Sequence, residues 1–575
     1  MPGSRRRVSS SVMLDPSYSF TTVLAAALAD AGVRHACITP GSRSTPLALP
    51  LADHPAITDW SHHDERASAF FALGIGKATG SPAVVVTTSG TAAAHLHAAA
   101  LEARAGRVPL ILITADRPAD LRDVGAPQAV DQAGLFGDAV KWSHDLEPPD
   151  PSRSSLTAVA ALAARLVAVA TEVPAGPVHL NVRLREPLLP TGEVPETPPA
   201  PAFANPIPTA APGVLDDLAN RLEGRRALLV CGPQDDPALG PAAASLAERT
   251  GIPVIADPLS QVRCGHHDLS RVIATGDLLA GAGWLGRVAP EVVVRVGALP
   301  TSKPLWRWLE DHREVEQVVV DPGGWRDPLA SASRMVRSDP VAALEGLTDR
   351  IGRPVPPDWT ERWQSADRAA GAALAAALSG FPTEPGIVRT VVEALPDGAT
   401  LWVASSMPVR DLDLVAPTTR RDLRFAANRG ANGIDGFLSS GLGAAAAGGR
   451  PTVLLAGDLS MLHDLTGLAA AGRLGIPAAI VVIDNDGGGI FHFLPQAGLS
   501  HFERHFGTPH RLDLVAVAGA LGVTARTAAS PADLAAEVAS PPTALRLTVV
   551  RTDRTTNVEV HRRLREAVGR ALEDC

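Results

Sequence analysis

Short apolar runs rich in β-branched residues alternate along the chain with longer stretches of helical spacing. Residues 83–87 read AVVVT; Ser89, Gly90 and Thr91 follow, then a helical run to about residue 104, then a second apolar run, PLILIT, at 109–114. A strand that is apolar on both faces lies inside a parallel sheet covered by helices. Strand, helix and strand in that order make parallel neighbours joined by a right-handed crossover. The pattern returns at 227–230, 253–256, 292–296 and 318–320, and again at 401–403, 452–456 and 479–483. A proline-rich linker, 187–212, separates the first two blocks, and a proline cluster at 354–357 precedes a helix over 359–379. The fold class is therefore α/β, with three doubly wound parallel-sheet domains placed at 1–190, 191–355 and 356–575. No short-period repeat is present, so likeness between the first and third blocks would be one of fold.

Composition narrows the setting. The 575 residues are 46% hydrophobic and 20% charged, the balance of a globular protein with sizeable cores. Cys37, Cys231, Cys264 and Cys575 are scattered and form no CxxC pair. Neither a disulfide framework nor a zinc site is expected, and a reducing, cytoplasmic setting is. A net charge of −9 argues against nucleic-acid binding. Apolar stretches end at about a dozen residues, short of the ~18 that span a bilayer, so no stable membrane insertion is expected. The basic, Ser-rich residues 1–14 lack the apolar core of a signal peptide and read as a disordered tail. Lysine occurs only at Lys77, Lys141 and Lys303 in a chain that otherwise uses arginine.

The strongest chemical signal lies in the third block, TVLLAGDLSMLHDLTGLAAAGRLGIPAAIVVIDNDGGGIF. The βαβ rule puts Asp458 and Asn485 at the carboxyl ends of neighbouring strands, where open α/β sheets bind ligands. Asp458, the Asn485 amide oxygen and a backbone carbonyl near Gly487 are three hard oxygen ligands, suited to Mg²⁺ that also holds phosphate oxygens. A helix starting near Ser460 aims N–H groups at the same anion, and the glycines Gly487, Gly488 and Gly489 let the backbone approach closely. Taken alone, Gly457-Asp458 also fits a plain βα turn with an N-cap aspartate. His62-His63 and His266-His267 read as polar loop residues, and the GxG patterns at 74–76 and 441–443 do not directly follow strands. The middle block has the look of a dinucleotide fold without its fingerprint, so no flavin or NAD is expected.

Gly457-Asp458 followed by Asp484-Asn485 resembles the motif of the thiamine diphosphate enzymes, with two departures from its common form: Leu459 for a glycine and Asp484 for an asparagine. Within that superfamily the chain resembles the menaquinone-pathway branch, the 2-succinyl-5-enolpyruvyl-6-hydroxy-3-cyclohexene-1-carboxylate synthases. The segments that carry the likeness are TPGSRST at 39–45, DER at 64–66, TADRP at 114–118, GAPQ at 125–128, PTSK at 300–303, SMPVR at 406–410, NRG at 428–430, GIDG at 433–436, GDLSMLHD and DNDGGGIFHFLP. The match is dense in the first and third blocks and weaker in the middle one.

The resemblance implies a pyrimidine-binding domain at 1–190, a central domain at 191–355 and a diphosphate-binding domain at 356–575. It implies decarboxylation of 2-oxoglutarate and conjugate addition of the succinyl-semialdehyde carbanion to isochorismate, with thiamine diphosphate and Mg²⁺ or Mn²⁺ as cofactors. Glu65 is the implied catalytic carboxylate beside the pyrimidine ring, reaching the cofactor of a neighbouring subunit in a homo-oligomer, at least a dimer and consistent with a tetramer. Gln128 and Arg429 join it as catalytic candidates. Ser42, Arg43, Arg117, Gln128, Lys303, Ser406, Arg410 and Arg429 are candidates for the two dicarboxylate substrates, because arginine grips a carboxylate with two parallel hydrogen bonds. Ser89, Gly90, Thr91, Ser406, Met407, Ile434, Gly457, Asp458, Leu459, Ser460, Asn485, Gly487, Gly488 and Ile490 are cofactor candidates; Asp458, Asn485 and Gly487 are the metal ligands. Ile434 matches the residue that props the cofactor, and Ile490, Phe491 and Leu494 would exclude water. An acetolactate-synthase-like 2-oxoacid ligase and a non-catalytic scaffold are the competing readings.

Overall fold

The computed structural model describes residues 15–190, 195–378, 380–431, 433–573 and 575. The predicted tail at 1–14, part of the linker and Ser379, the predicted end of a helix, lie outside the described residues. Three six-stranded sheets follow one another, and every strand pairing in them is parallel. The chain divides into two compact units, Met1–Asn205 and Pro206–Cys575.

The first unit holds β1 (His35–Ile38), β2 (Thr58–Ser61), β3 (Ala83–Thr87), β4 (Leu110–Asp116), β5 (Trp142–Leu146) and β6 (Pro177–Arg183), in the order β2-β1-β3-β4-β6-β5. β3 and β4 are buried along their whole length, as their continuous apolar runs require. The single helical run read after Thr91 is instead two helices, Thr91–Ala94 and His97–Gly106. Between them the Leu96 N–H bonds back three residues, to the Ala93 carbonyl, at 3.3 Å, so the ladder tightens and restarts. The helix Arg153–Thr171 is longer than the sequence reading allowed and, by length and composition, could cross a bilayer. Its apolar stripe, including Leu156, Val159, Leu166 and Val167, is buried in the core of this unit, and Arg165 lies 4.2 Å over the Trp142 ring.

The second unit holds two sheets. β7 (Ala227–Cys231), β8 (Val254–Ala256), β9 (Val272–Ile273), β10 (Val292–Val296), β11 (Glu316–Asp321) and β12 (Arg334–Arg337) run β12-β11-β10-β7-β8-β9, the order of dinucleotide-binding folds. At its switch point the loops after β7 and β10 bond to each other: Gly232 N–H to the Val296 carbonyl and Ala298 N–H to the Pro233 carbonyl, each at 2.9 Å. β13 (Thr400–Val403), β14 (Arg424–Ala426), β15 (Thr452–Gly457), β16 (Ala479–Asp484), β17 (Thr524–Thr527) and β18 (Arg546–Arg551) run β14-β13-β15-β16-β18-β17, repeating the order of the first sheet. The helix Pro357–Ala377 packs Trp359 and Trp363 with Trp284, and the Trp359 indole donates to the Ala227 carbonyl at 2.8 Å.

One buried arginine ties these two sheets together. Arg263, 1% exposed, donates to the carbonyls of Ala256, Asp413 and Ala416 and to the Asp413 carboxylate. Burial pushes the Asp413 carboxyl up, and the Arg263 charge pulls it back. Asp413 belongs to the helix Met407–Val415, whose first turn faces the site below. Asp413→Ala leaves the guanidinium buried without its counter-charge, a change that costs about 3–5 kcal/mol. A clear fall in the urea unfolding midpoint is the expected outcome; a parent-like midpoint would remove this pair from the supports of the fold.

Candidate functional site

In sheets of order 2-1-3-4-6-5 the connections reverse direction between the first and third strands, and the loops at their carboxyl ends open a crevice. In the third sheet those strands are β13 and β15. A cavity of about 470 Å³ lies there, lined by Ser405–Pro408, Arg410, Arg429, Gly433, Ile434, Gly457–Ser460, Ile483, Asn485, Gly487–Phe491 and Leu494, with Trp306 and Glu384. Every cofactor candidate of the third block is in this wall, and so are the substrate candidates Ser406, Arg410 and Arg429.

Asp458 starts a short helix, Asp458–Leu462, two residues before the predicted start. Its carboxylate is 2% exposed and its Oδ2 accepts from the N–H groups of Asn485 (3.2 Å) and Gly487 (2.8 Å). His510 Nε2 lies 3.3 Å from the same oxygen. Because His510 Nδ1 accepts from the Leu512 N–H at 3.0 Å, Nε2 is the protonated nitrogen and donates. Oδ1 accepts only from the Leu459 N–H, at 2.6 Å, among these bonds. A carboxylate has about four acceptor positions, so Oδ1 keeps capacity for a cation. Burial pushes the Asp458 carboxyl up, and the N–H groups of Gly487 and Leu459 draw it back down.

Asn485 supplies the second oxygen. Its Nδ2 donates to Glu384 Oε1 at 2.7 Å, while its Oδ1 is buried with no hydrogen-bond partner. The Gly487 carbonyl accepts from the Gly489 N–H at 2.9 Å and retains a second lone pair. Gly487 has a φ of +138°, and a Cβ there would lie 1.9 Å from the Gly507 carbonyl oxygen, so only glycine fits. Three hard oxygen acceptors thus belong to residues that line one cavity at the strand ends, a donor set whose chemistry fits Mg²⁺ or Mn²⁺. Glu384 itself is 2% exposed, and burial with the nearby Asp411 charge pushes its carboxyl up to about 8.

Ser406 enters its helix with φ +73° and ψ −134°, a backbone state costly for any residue but glycine, at the cavity wall. Arg410, one turn on, donates to the Ser406 carbonyl, and burial lowers its affinity for its proton.

The first unit gathers a second cluster at the same end of its sheet. Arg117 Nη1 donates to Ser89 Oγ at 2.7 Å and Nη2 to Gln128 Oε1 at 3.4 Å. Gly90 has a φ of +86°, and a Cβ there would sit 3.3 Å from the Gln128 carbonyl. Its N–H donates to the buried Gln132 at 2.8 Å. Arg43 is buried, donates to the Leu184 carbonyl at 2.8 Å, and lies 3.6 Å from Glu186. Burial and the charge of Arg117 both lower the affinity of Arg43 for its proton. Ser42 and Thr91 are exposed beside these residues in sequence, Ser42 on the loop after β1 and Thr91 at the first residue of the helix Thr91–Ala94. Glu65, half-buried, opens the helix Glu65–Thr79 behind the N-cap Asp64, just after β2. The carboxyl ends of β2, β1, β3 and β4, four adjacent strands, therefore carry Glu65, Arg43, Ser89 and Arg117.

Lys303 is not in the cavity wall. It stands exposed at the first residue of the helix Lys303–Asp311, and Trp306 of that helix lines the cavity instead. His62 lies on the loop after β2, as read, but its ring is buried, 1% exposed, with its centroid 4.8 Å from that of Phe71. Glu384 and His510 were missed, since neither sits in a motif and each joins the site only through the fold.

Residues 19–135 match the family model "Thiamine pyrophosphate enzyme, N-terminal TPP binding domain", and residues 418–550 match "Thiamine pyrophosphate enzyme, C-terminal TPP binding domain". Curated relatives include 2-succinyl-5-enolpyruvyl-6-hydroxy-3-cyclohexene-1-carboxylate synthases from Geobacillus thermodenitrificans, 45% identical with 95% of each chain covered, and from Chloroflexus aurantiacus, 43% identical with 96% of each covered. One from Myxococcus xanthus is 42% identical, covering 93% of this chain and 94% of its own. The fold is also that of a Mycobacterium smegmatis protein, solved by X-ray crystallography, whose thiamin diphosphate dependence is inferred: TM-score 0.69, 20% identity, 93% of this chain and 99% of that one. With its thiamine pyrophosphate-binding domains at both ends and this identity along nearly its whole length, the chain belongs to the family of 2-succinyl-5-enolpyruvyl-6-hydroxy-3-cyclohexene-1-carboxylate synthases.

Proposed function

We propose that the protein decarboxylates 2-oxoglutarate and joins the resulting succinyl-semialdehyde unit by conjugate addition to isochorismate, releasing CO₂ and forming 2-succinyl-5-enolpyruvyl-6-hydroxy-3-cyclohexene-1-carboxylate for menaquinone biosynthesis. One observation carries this reading: a single cavity joins the oxygen acceptors of Asp458, Asn485 and Gly487 to the cations of Arg410 and Arg429. A diphosphate bridged by a cation suits the first set, and dicarboxylate substrates suit the second.

When bound, thiamine diphosphate supplies the electron sink for decarboxylation. Asp458, Asn485 and the Gly487 carbonyl would hold Mg²⁺ or Mn²⁺, which would neutralise the diphosphate charge. Gly457, Leu459, Ser460, Gly488, Ser406 and Met407 line the cofactor, and Ile434 and Ile490 shape its bed. Glu65 holds a proton at the pyrimidine N1′, with Ser89, Gly90 and Thr91 beside the ring. Arg43, Arg117, Gln128, Arg410 and Arg429 orient substrate carboxylates and carbonyl, with Ser42 and Lys303 at the margin. Phe491 and Leu494 keep water from the reacting carbon. In this reading the protein is a cytoplasmic homo-oligomer, at least a dimer, in which Glu65 of one copy serves the cofactor of a neighbour. The domain boundaries that go with it are 1–190, 191–355 and 356–575.

Purified protein with thiamine diphosphate and Mg²⁺ releases CO₂ from 2-oxoglutarate in an isochorismate-dependent way and yields the adduct by mass spectrometry. Release from pyruvate alone would reassign the substrate. Glu65→Gln lowers turnover by about 10²–10⁴-fold, the usual worth of a positioned acid–base group, while thiamine diphosphate still binds by equilibrium dialysis. Unchanged turnover would remove Glu65 from the chemistry. Dialysis against EDTA abolishes turnover and either Mg²⁺ or Mn²⁺ restores it; full activity after chelation would refute the cation assignment.

A further inference from the structure

The two ends of an asparagine amide are nearly the same size, yet only one of them can hold a cation. Something in the fold must decide which end Asn485 presents. The amide follows β16 at the wall of the cavity. Its Nδ2 lies 2.7 Å from Glu384 Oε1, and its Oδ1 is buried with no hydrogen-bond partner. A flipped amide would place its oxygen against the Glu384 oxygen and its NH₂ group where the oxygen now faces. Glu384 is far from Asn485 in sequence: it is the first residue of the helix Glu384–Ala394, whose residues Ile387, Val388, Val391 and Val392 are fixed in the core. Its Oε1 also lies 3.5 Å from Thr552 Oγ1, just past β18, the strand paired with β16. Glu384 as a whole is 2% exposed, so its carboxyl is held among protein groups.

We infer that Glu384 is a positioning residue for the cation, fixing the Asn485 amide with its oxygen turned to the metal site. The inference rests on the reading of Asp458 and Asn485 as cation ligands. Glu384 touches neither substrate nor cofactor in this role. It acts through Asn485, as carboxylates behind metal-ligating side chains generally do. What matters is a group that accepts and does not donate: an amide at this place could turn its own NH₂ to the Asn485 oxygen, whereas a carboxylate cannot.

The test is direct titration of Mn²⁺ by electron paramagnetic resonance on the full-length protein at saturating thiamine diphosphate, with the unfolding midpoint of each cofactor-free variant alongside. Glu384→Met removes the acceptor at similar volume and weakens Mn²⁺ binding about 10–100-fold, the range for such supporting partners. Glu384→Gln keeps the volume but offers a donor as well as an acceptor, so it no longer fixes the amide and binds Mn²⁺ more weakly than the parent. Asn485→Ala marks the full loss. Parent-like Mn²⁺ binding by Glu384→Met overturns the inference, even if its unfolding midpoint falls, because the residue would then be structural only. Should Glu384→Met not fold, Glu384→Gln decides: Mn²⁺ binding weaker than the parent's supports the positioning role, and parent-like binding overturns it. Parent-like binding by Asn485→Ala would instead overturn the ligand reading itself.

Discussion

Everything at the candidate site depends on one constraint of parallel sheets. Each strand must be re-entered from the same end, so all its outgoing loops collect at the other end. Where the connections reverse direction, two of those loops part and leave a crevice. The first and third sheets share the order 2-1-3-4-6-5, and their chemistry falls on the same four strand ends. Glu65, Arg43, Ser89 and Arg117 follow β2, β1, β3 and β4. Arg429, Ser406, Asp458 and Asn485 follow β14, β13, β15 and β16. The first set presents two arginines, a serine and a carboxylate, the second an arginine, a serine, a carboxylate and an amide. One architecture thus places charged and polar groups at the same strand ends in each of two sheets. The middle sheet, wound in the other order, has its switch point bridged by backbone hydrogen bonds between the loops after β7 and β10.

The buried carboxylate of Asp458 is the most demanding single element. An isolated charge in that position would be expelled or neutralised. Here two N–H groups and an imidazole N–H face one oxygen and a single N–H the other, so the acid is held without being saturated. This is the difference between a structural aspartate and one with a lone pair to offer. Gly487 gives its N–H to Asp458, and its carbonyl accepts one N–H and keeps a second lone pair.

Much of this was legible in the sequence because it is local. Continuous apolar runs marked β3, β4, β15 and β16, and their succession alone brought Asp458 near Asn485. The repeated fold of the first and third blocks was legible as alternation, though not as strand order. What escaped was set by distant packing. Glu384 and His510 reach the site from elements with no motif, and a lone acid or histidine on a helix or loop gives no sign of its partner. His62 sits on a loop, yet its ring is buried against Phe71, a partner nine residues away that no motif announces. The break at Leu96 left no punctuating glycine or proline, so an alanine-rich run hid it. Lys303 drew notice as a rare lysine, but the next turn of its helix contributes Trp306 to the cavity.

The glycines after Asn485 bear on how such a site can change over generations. A Cβ at Gly487 would meet the Gly507 carbonyl oxygen at 1.9 Å, and one at Gly488 the Phe506 carbonyl oxygen at 2.2 Å. Both obstacles are backbone, which no compensating side-chain substitution elsewhere can remove. These two positions are therefore closed to drift, and the loop cannot acquire a new side chain there. Variation in the lining is open instead at Arg410, Arg429 and Ile490, which share the cavity with those glycines. On the proposed reading, the pocket's choice of acid can be altered while its hold on the cation stays fixed.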